Sequence, residues 1–304
     1  MISATLPDHR SIYASDPARG WMPWGALAPV IALAFVVATQ LCGTSLIAPL
    51  GHFDRFGNPL DANSLVIFAL VPFGLLLLLV LGWVHFVERR SLASVGLRHH
   101  RPVLSFLRGH AIGLVSLSAV VVGIWLAGGY SVKSGALAWQ NGAVLRSILM
   151  LLFALALQSS TEELLFRGWL LSVLTRKFNV FVGVLVSSLL FALLHHGRGD
   201  HWLVTLGTFL FALYAAGWAL RSRSILGVMG WHSGWNWLLA TGYGLPLTGL
   251  DLGIPPLLVG LESGGPAWLT GGAQGPEASV VCLGYFAVSI VFFWRRLRSR
   301  QPAS

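Results

Sequence analysis

Two adjacent carboxylates in the stretch LALQSSTEELLFRGWLLSVL (155–174) are the residues of this sequence that most clearly could do chemistry. Glu162 and Glu163, together with Arg167, lie between long apolar runs. Ionisable side chains are costly in an apolar layer and are usually kept there for a function. Glu163 and Arg167 are four residues apart, so on a helix they share a face and can pair. Glu162 is turned by about 100° from Glu163, so it points elsewhere and is free to act.

Two further polar clusters interrupt apolar segments downstream. FALLHH places Phe191 and His195 four residues apart, and GWHSGWNWLL places His232 and Asn236 four residues apart. Each pair shares one face if its segment is helical. Three helices would therefore each present an i, i+4 pair.

The depths of these groups along their helices can be compared from the sequence. Glu162 precedes a turn near Lys177 and Phe178 by about as many residues as His195 follows it, which gives depths of about 23–26 Å at 1.5 Å per residue. Glu162 and His195 are therefore expected to meet across a helical hairpin. His232 lies at a compatible depth, about 14 Å inward from Arg223.

A glutamate and two histidines that converge in an apolar pocket suit hydrolysis. Apolar surroundings make a carboxylate a stronger base, so Glu162 could take a proton from water. His195 could hold that water or protonate a leaving amine, while His232 and Asn236 could donate hydrogen bonds to an oxygen that gains negative charge. Zinc is the alternative, with Glu162, His195 and His232 as candidate ligands. Because the HExxH signature is absent, such a site would be assembled from separate helices.

The composition indicates that the surrounding elements are membrane helices. Of 304 residues, 55% are hydrophobic and only 10% are charged, too few to cover a soluble protein of this size. We predict an all-α polytopic membrane protein with about eight transmembrane helices. The apolar segments are 24–47, 64–86, 108–128, 144–175, 179–196, 202–220, 225–243 and 278–294.

The fourth segment is too long for one straight crossing. As a single helix it would measure roughly 48 Å, against about 30 Å for the hydrocarbon core. It must tilt, break or project from the membrane. The polar run QSST (158–161) is the expected place for a bend.

The formal net charge of +9 does not indicate nucleic-acid binding. The arginines cluster in alternate connections between the apolar segments, and no basic helix is interleaved with aromatic residues. Under the positive-inside rule, this alternation predicts that both termini are cytoplasmic.

The sequence divides into one membrane domain and two tails. We expect a polar N-terminal tail over 1–20, a membrane domain over 21–297 and a basic C-terminal tail over 298–304. The connection 244–277 is rich in glycine and proline and could be a lid, a re-entrant segment or a linker.

Three motifs now suggest a family. EELLFR (162–167), FALLH (191–195) and HSGWN (232–236) resemble the EExxxR, FxxxH and HxxxN/D motifs of the CPBP intramembrane proteases. That family includes the type II CAAX prenyl endopeptidases and the bacterial Abi proteins. The resemblance covers the motif-bearing core, about 144–243, and LTGGAQGPEAS (269–279) is similar to a glycine-rich segment of bacterial members.

The resemblance implies cleavage of peptide bonds in or near the membrane by an eight-helix fold. It implies that Glu162 and His195 activate water and that His232 and Asn236 form an oxyanion hole. Glu163 and Arg167 would support the site by pairing. A glutamate mechanism requires no cofactor, whereas a metal-dependent one would use a divalent ion such as zinc.

Two other classes of function use the same residues. A transporter or proton-coupled permease could employ the ionisable groups as a relay, although the first three apolar segments hold no second copy of the Glu/Arg pattern. A non-catalytic bacteriocin-immunity or scaffold protein could keep the fold alone. The expected partners are the lipid bilayer and a membrane-embedded or membrane-proximal polypeptide, with no nucleic acid. The expected location is the bacterial inner membrane, crossed several times.

Overall fold

The computed structural model describes residues 12–14, 17–197 and 202–298. Most of the two predicted tails lies outside these residues. Helices dominate: α1 Ala28–Ile47, α2 Ala62–Gly82, α3 Pro102–Leu126, α4 Gly142–Glu163, α5 Leu171–Lys177, α6 Val180–Leu194, α7 Trp202–Ser222, α8 Leu226–Thr241, α9 Ala267–Thr270 and α10 Val280–Arg298. Two short strands, β1 Tyr130–Ser134 and β2 Gly260–Ser263, pair antiparallel.

The helices confirm the predicted all-α polytopic membrane fold. Among the described residues, five helical stretches are long and apolar enough to cross a membrane: Ala28–Leu50, Ala62–Val87, Pro102–Leu126, Gly142–Lys177 and Trp202–Ser222. Shorter apolar helices at Val180–Leu194 and Val280–Phe293 match the fifth and eighth predicted segments. The seventh segment is the 16-residue helix α8. Every predicted apolar segment therefore corresponds to a helix, and five of them reach spanning length.

The fourth span runs without interruption from Gly142 to Lys177 but changes its helical geometry within. Between α4 and α5, residues Leu164–Leu170 form a π-helical turn in which the Leu171 N–H donates to the Phe166 carbonyl, five residues back. The expected bend at 158–161 is wrong, because these residues are regular α-helix. The Thr161 hydroxyl donates to the Leu157 carbonyl of its own helix. The polar side chains of this run therefore do not interrupt the backbone hydrogen bonds of the helix.

Helices α3 and α8 approach each other through glycines. The glycines are Gly109 and Gly113 on α3 and Gly227, Gly230 and Gly234 on α8. A Cβ on Gly113 would overlap the Trp231 carbonyl, and one on Gly230 would overlap the Phe106 carbonyl. Small residues of this kind let membrane helices pack backbone against backbone. The contact fixes the position of His232, which lies between two of these glycines.

A buried ion pair joins the α2–α3 connection to the π-helical turn. Arg90 Nε lies 2.6 Å from Glu88 Oε2, and both side chains are buried. Glu88 Oε1 also accepts a hydrogen bond from Trp169 Nε1 at 2.8 Å, and Arg90 Nη1 donates to Ser172 Oγ at 3.2 Å. Arg90 lies in an arginine-rich connection, yet it is buried and anchors the fourth span from inside the protein.

Candidate active site

Glu163 and Arg167 pair as their spacing predicts. Arg167 Nη1 lies 3.2 Å from Glu163 Oε1, and both side chains are buried. The guanidinium also sits over the Phe191 ring, 4.2 Å from its centroid. Glu163 Oε1 has a second partner, because His232 Nδ1 lies 3.0 Å away. The pair therefore also holds a histidine of another helix.

Glu162 points away from Glu163 into a cavity and faces two imidazoles. Its Oε1 accepts a hydrogen bond from Gln158 Nε2 at 3.1 Å and lies 3.7 Å from His195 Nε2. Its Oε2 lies 3.8 Å from His232 Nε2 and is buried without a hydrogen-bond partner among the described residues. Both imidazole distances exceed hydrogen-bond length. The structure thus brings Glu162 and His195 together across the hairpin and leaves between them a gap that one water can bridge.

His195 is held by the end of α6. Its Nδ1 lies 2.8 Å from the Phe191 carbonyl oxygen, and its ring packs on the Phe191 ring at 4.2 Å between centroids. Because a carbonyl only accepts, Nδ1 carries the hydrogen of this bond. In the neutral ring Nε2 then keeps its lone pair and points it toward Glu162.

His232 bridges the two glutamates. A carboxylate only accepts, so the Nδ1 atom that contacts Glu163 carries a hydrogen. His232 can donate from Nε2 as well only when its ring is cationic. A cationic His232 and Arg167 would balance the charges of Glu162 and Glu163, which reduces the cost of burying them.

The cavity that these groups face has a volume of about 960 Å³. Asn236 lines it one helical turn beyond His232. Apolar side chains of α1, α2 and α4 form much of its wall: Val36, Leu65, Phe68, Ala69, Phe73, Leu76 and Leu155. Trp231 and Trp235 also border it, with ring centroids 4.9 Å apart in a stacked arrangement.

The connection 244–277 forms one wall of this cavity. Leu247, Thr248 and Gln274 line it together with Glu277. Glu277 fastens the wall, because its Oε2 accepts from Thr248 Oγ1 at 2.6 Å and its Oε1 accepts from Trp235 Nε1 at 2.9 Å. The connection is therefore part of the cavity wall, and its role as a lid, a re-entrant segment or a linker stays a prediction.

Few of the described side chains around Glu162 are placed as the ligands that a zinc ion needs. Among the described residues, no group of three or more His, Cys, Asp or Glu side chains is placed to hold a metal ion. The Nδ1 atoms of His195 and His232 already contact protein acceptors, which leaves one ring nitrogen of each for the cavity.

Two residues of the site were missed by sequence reasoning. Gln158 lies one helical turn before Glu162 on the same face, and this i, i+4 spacing was a usable signal. Glu277 reaches the cavity only because its loop folds back onto α8, a contact that no local spacing reveals.

Residues 144–238 match the family model described as Type II CAAX prenyl endopeptidase Rce1-like. The matched segment contains all six site residues predicted from the sequence, and the match confirms the resemblance predicted from the three motifs. No curated protein matches the chain. No solved structure matches it either.

Proposed function

We propose that this chain is an intramembrane endopeptidase that hydrolyses a peptide bond within or near the bilayer. The observation that carries the proposal is the placement of Glu162 opposite His195 Nε2, 3.7 Å apart, at the inner wall of a large cavity. The match to a protease family over the segment that contains both residues supports it.

Glu162 and His195 activate the water molecule. A water bound between them donates one hydrogen to His195 Nε2 and loses its other proton to Glu162. The resulting hydroxide attacks the carbonyl carbon of the peptide, and the carbonyl oxygen becomes negative. Protonated Glu162 then returns its proton to the leaving nitrogen as the C–N bond breaks, so the products are a carboxylic acid and an amine. The acid then passes its proton to the amine or to solvent, which leaves a carboxylate.

The negative oxygen is stabilised by His232 and Asn236. Both line the cavity from α8, one helical turn apart. His232, held by Glu163 at Nδ1, would offer a hydrogen from Nε2 when both ring nitrogens carry one, and Asn236 offers its amide hydrogens. Glu163 and Arg167 act as positioning residues, because they orient His232 without facing the substrate.

The proposed setting is a bacterial inner membrane, which the chain crosses several times. The substrate is a membrane-embedded or membrane-proximal polypeptide that enters the largely apolar cavity. The glutamate mechanism uses no cofactor. A divalent ion such as zinc remains the alternative, with Glu162, His195 and His232 as its candidate ligands.

Replacement of the base tests the proposal. Purified wild-type protein and Glu162→Gln are added to detergent-solubilised membranes of a host that lacks the protein, and new amino termini are identified by mass spectrometry. Loss of a general base should lower the cleavage rate by about 10²–10⁴-fold. Glu262→Gln is the matched control, because Glu262 is exposed on β2.

The variants also separate the competing functions. Undiminished cleavage by Glu162→Gln would contradict the proposed mechanism. A solute flux in liposomes that disappears in Glu162→Gln, with no peptidase activity in the wild type, would favour a transporter instead.

A further inference from the structure

The positive charges of this protein gather at one end of the helix bundle. The connections α2–α3, α5–α6 and α7–α8 meet there, since the Ile225 N–H donates to the Gly96 carbonyl and Arg90 donates to Ser172. This arginine-rich end carries Arg19, Arg89, Arg90, Arg98, Arg101, Arg108, Arg176, Lys177, Arg221 and Arg223. In the described part of the chain its one carboxylate is Glu88, which pairs with Arg90.

The opposite end, formed by β1, β2 and the loops around them, has a different charge balance. Among the described residues of this end, the basic ones are Arg55, Lys133 and Arg146, and the acidic ones outside the cavity are Asp54, Asp61, Asp251 and Glu262. Membrane proteins keep Lys and Arg on the cytoplasmic side, where anionic lipids also attract them. The arginine-rich end is therefore assigned to the cytoplasm and the β-strand end to the extracytoplasmic side.

The site lies closer to the β-strand end of the membrane. Glu162 precedes Lys177, at the end of α5, by four turns of helix, which is about 22 Å. The hydrocarbon core is about 30 Å thick, so Glu162 is only about 8 Å from its far boundary. His195 directly follows the last residue of α6 and lies at the same level.

The cavity opens toward the same end. Its outer wall consists of Arg55, Phe56 and Asn58 from the α1–α2 connection and the segment 247–250 from the loop after α8. Of the described residues that line it, none belongs to the connections of the arginine-rich end. A polypeptide segment that reaches Glu162 through this opening must come from the β-strand side.

We propose that the site takes its substrates from the extracytoplasmic side of the membrane. The substrate class is then an exported or membrane-anchored polypeptide whose cleaved bond lies just inside the outer boundary of the hydrocarbon core. A chain end that stays in the cytoplasm does not reach Glu162. This assignment of substrate rests on the proposed peptidase function, whereas the direction of the opening does not.

Cysteine labelling tests the orientation without any assay of activity. In a Cys42→Ala parent, where the remaining Cys282 is buried, exposed Lys133 and exposed Arg98 are each replaced by cysteine. A membrane-impermeant maleimide should label Lys133→Cys in intact bacterial cells and should label Arg98→Cys only after permeabilisation. The reverse pattern would overturn the proposal.

A third cysteine tests the opening itself. Thr208 lines the cavity, and Thr208→Cys should react with a small membrane-impermeant thiosulfonate added to intact cells. Protection of Thr208→Cys in intact cells, with reaction from the cytoplasmic side of inverted vesicles, would overturn the assigned entrance.

The substrate class is tested by the position of cleavage. New termini that appear in cells with the wild type and are lost with Glu162→Gln should lie on extracytoplasmic segments of membrane or exported proteins. Termini on cytoplasmic segments would overturn the proposal. A complete lack of differences would overturn the peptidase function and the substrate class with it, while the labelling would still decide the orientation.

Discussion

One carboxylate oxygen of Glu163 serves two donors, Arg167 on its own helical span and His232 on α8. This geometry links the ion pair of the EExxxR motif to the proposed oxyanion hole. The role of Glu163 thus differs from that of Glu162, although the two residues are adjacent. Glu162 faces the cavity, whereas Glu163 is enclosed by protein.

Replacement of Glu163 should therefore damage both stability and activity. Glu163→Gln leaves the buried guanidinium of Arg167 without a counter-charge, a change that costs about 3–5 kcal/mol. The amide oxygen that remains is uncharged, so it holds His232 more weakly than the carboxylate does, and the residual folded protein should also lose activity. Thermal unfolding in detergent, measured beside Glu162→Gln, checks the difference.

Glu162→Gln should unfold near the wild-type temperature, because it keeps the oxygen that accepts from Gln158 and removes no ion pair at hydrogen-bond distance. Equal unfolding temperatures for Glu163→Gln and the wild type would contradict the structural role assigned to Glu163.

Much of the site at this scale follows from spacing in the sequence. The pairing of Glu163 with Arg167 and the common depth of Glu162 and His195 follow from helix geometry alone. The contact between His232 and Glu163 does not, because it depends on how α8 is rotated about its axis. That rotation is fixed by packing against α3, which no spacing within HSGWN reveals.

At the scale of elements, the π-helical turn Leu164–Leu170 carries Arg167 and depends on the N-terminal segment. The Tyr13 hydroxyl donates to the Arg167 carbonyl at 2.6 Å. Burial raises the pKa of Tyr13 well above its usual value, so the hydroxyl remains a donor at physiological pH. A residue from the beginning of the chain therefore satisfies a carbonyl in the turn behind the site.

Removal of that hydroxyl should weaken both the fold and the site. Tyr13→Phe should cost about 1–3 kcal/mol, since the Arg167 carbonyl loses a buried donor, and it should lower the turnover rate by disturbing the turn. Tyr130→Phe is the matched control, because its hydroxyl donates to the Thr270 carbonyl at 2.7 Å near the β-strand end.

The two tyrosine variants should lose similar stability, but only Tyr13→Phe should lose activity. Unfolding temperature and cleavage rate, measured on the same preparations, distinguish them. Equal activity in both variants would show that the turn is insensitive to Tyr13.

The glycine contact between α3 and α8 gives a second prediction at this scale. A methyl group on Gly230 would collide with the Phe106 carbonyl and push α8, with His232, away from α3. Gly230→Ala should therefore lower the unfolding temperature and reduce cleavage.

Gly284→Ala on α10 is the control, since its new methyl group meets open space. It should stabilise its helix by about 0.5–1 kcal/mol. A Gly230→Ala protein as stable as Gly284→Ala would show that the close approach of α3 and α8 does not contribute to the stability of the folded protein.

The elements themselves were largely predictable and their details were not. Apolar runs located every major helix, because a membrane span needs a long apolar stretch. A bend was expected at QSST, whereas the helical geometry of this span changes only after Glu163, where the π-helical turn begins. The repeated four-residue spacing of glycines in α3 and α8 was a usable signal for their contact and was missed.

At the scale of the whole molecule, the two ends of the bundle are built differently. One end gathers arginines and one buried ion pair, and the other carries β1, β2 and the loop that lines the cavity. The pairing of β1 with β2 joins residues more than a hundred positions apart, such as Tyr130 and Ser263. Such pairings require the three-dimensional arrangement and could not be predicted from local patterns.

Glu277 is the fastening point of that loop and can be tested as such. Glu277→Ala removes the acceptor shared by Thr248 and Trp235, so the segment 247–250 should loosen over the cavity. Limited proteolysis in detergent should then cut within 244–277 faster than in the wild type. Glu262→Ala, an exposed carboxylate on β2, should leave the rate unchanged, and an unchanged rate in Glu277→Ala would contradict the fastening role.

The stacked pair Trp231 and Trp235 gives the protein a built-in optical reporter. Both indoles border the cavity, and Trp235 also contacts the fastening carboxylate of the loop. Both rings are almost fully buried, so a polypeptide that fills the cavity changes their emission by altering the polar contacts and the electric field around them, not by removing water from their faces. Occupancy of the site can therefore be followed by fluorescence in the inactive Glu162→Gln protein, without a labelled substrate and before any natural substrate has been identified.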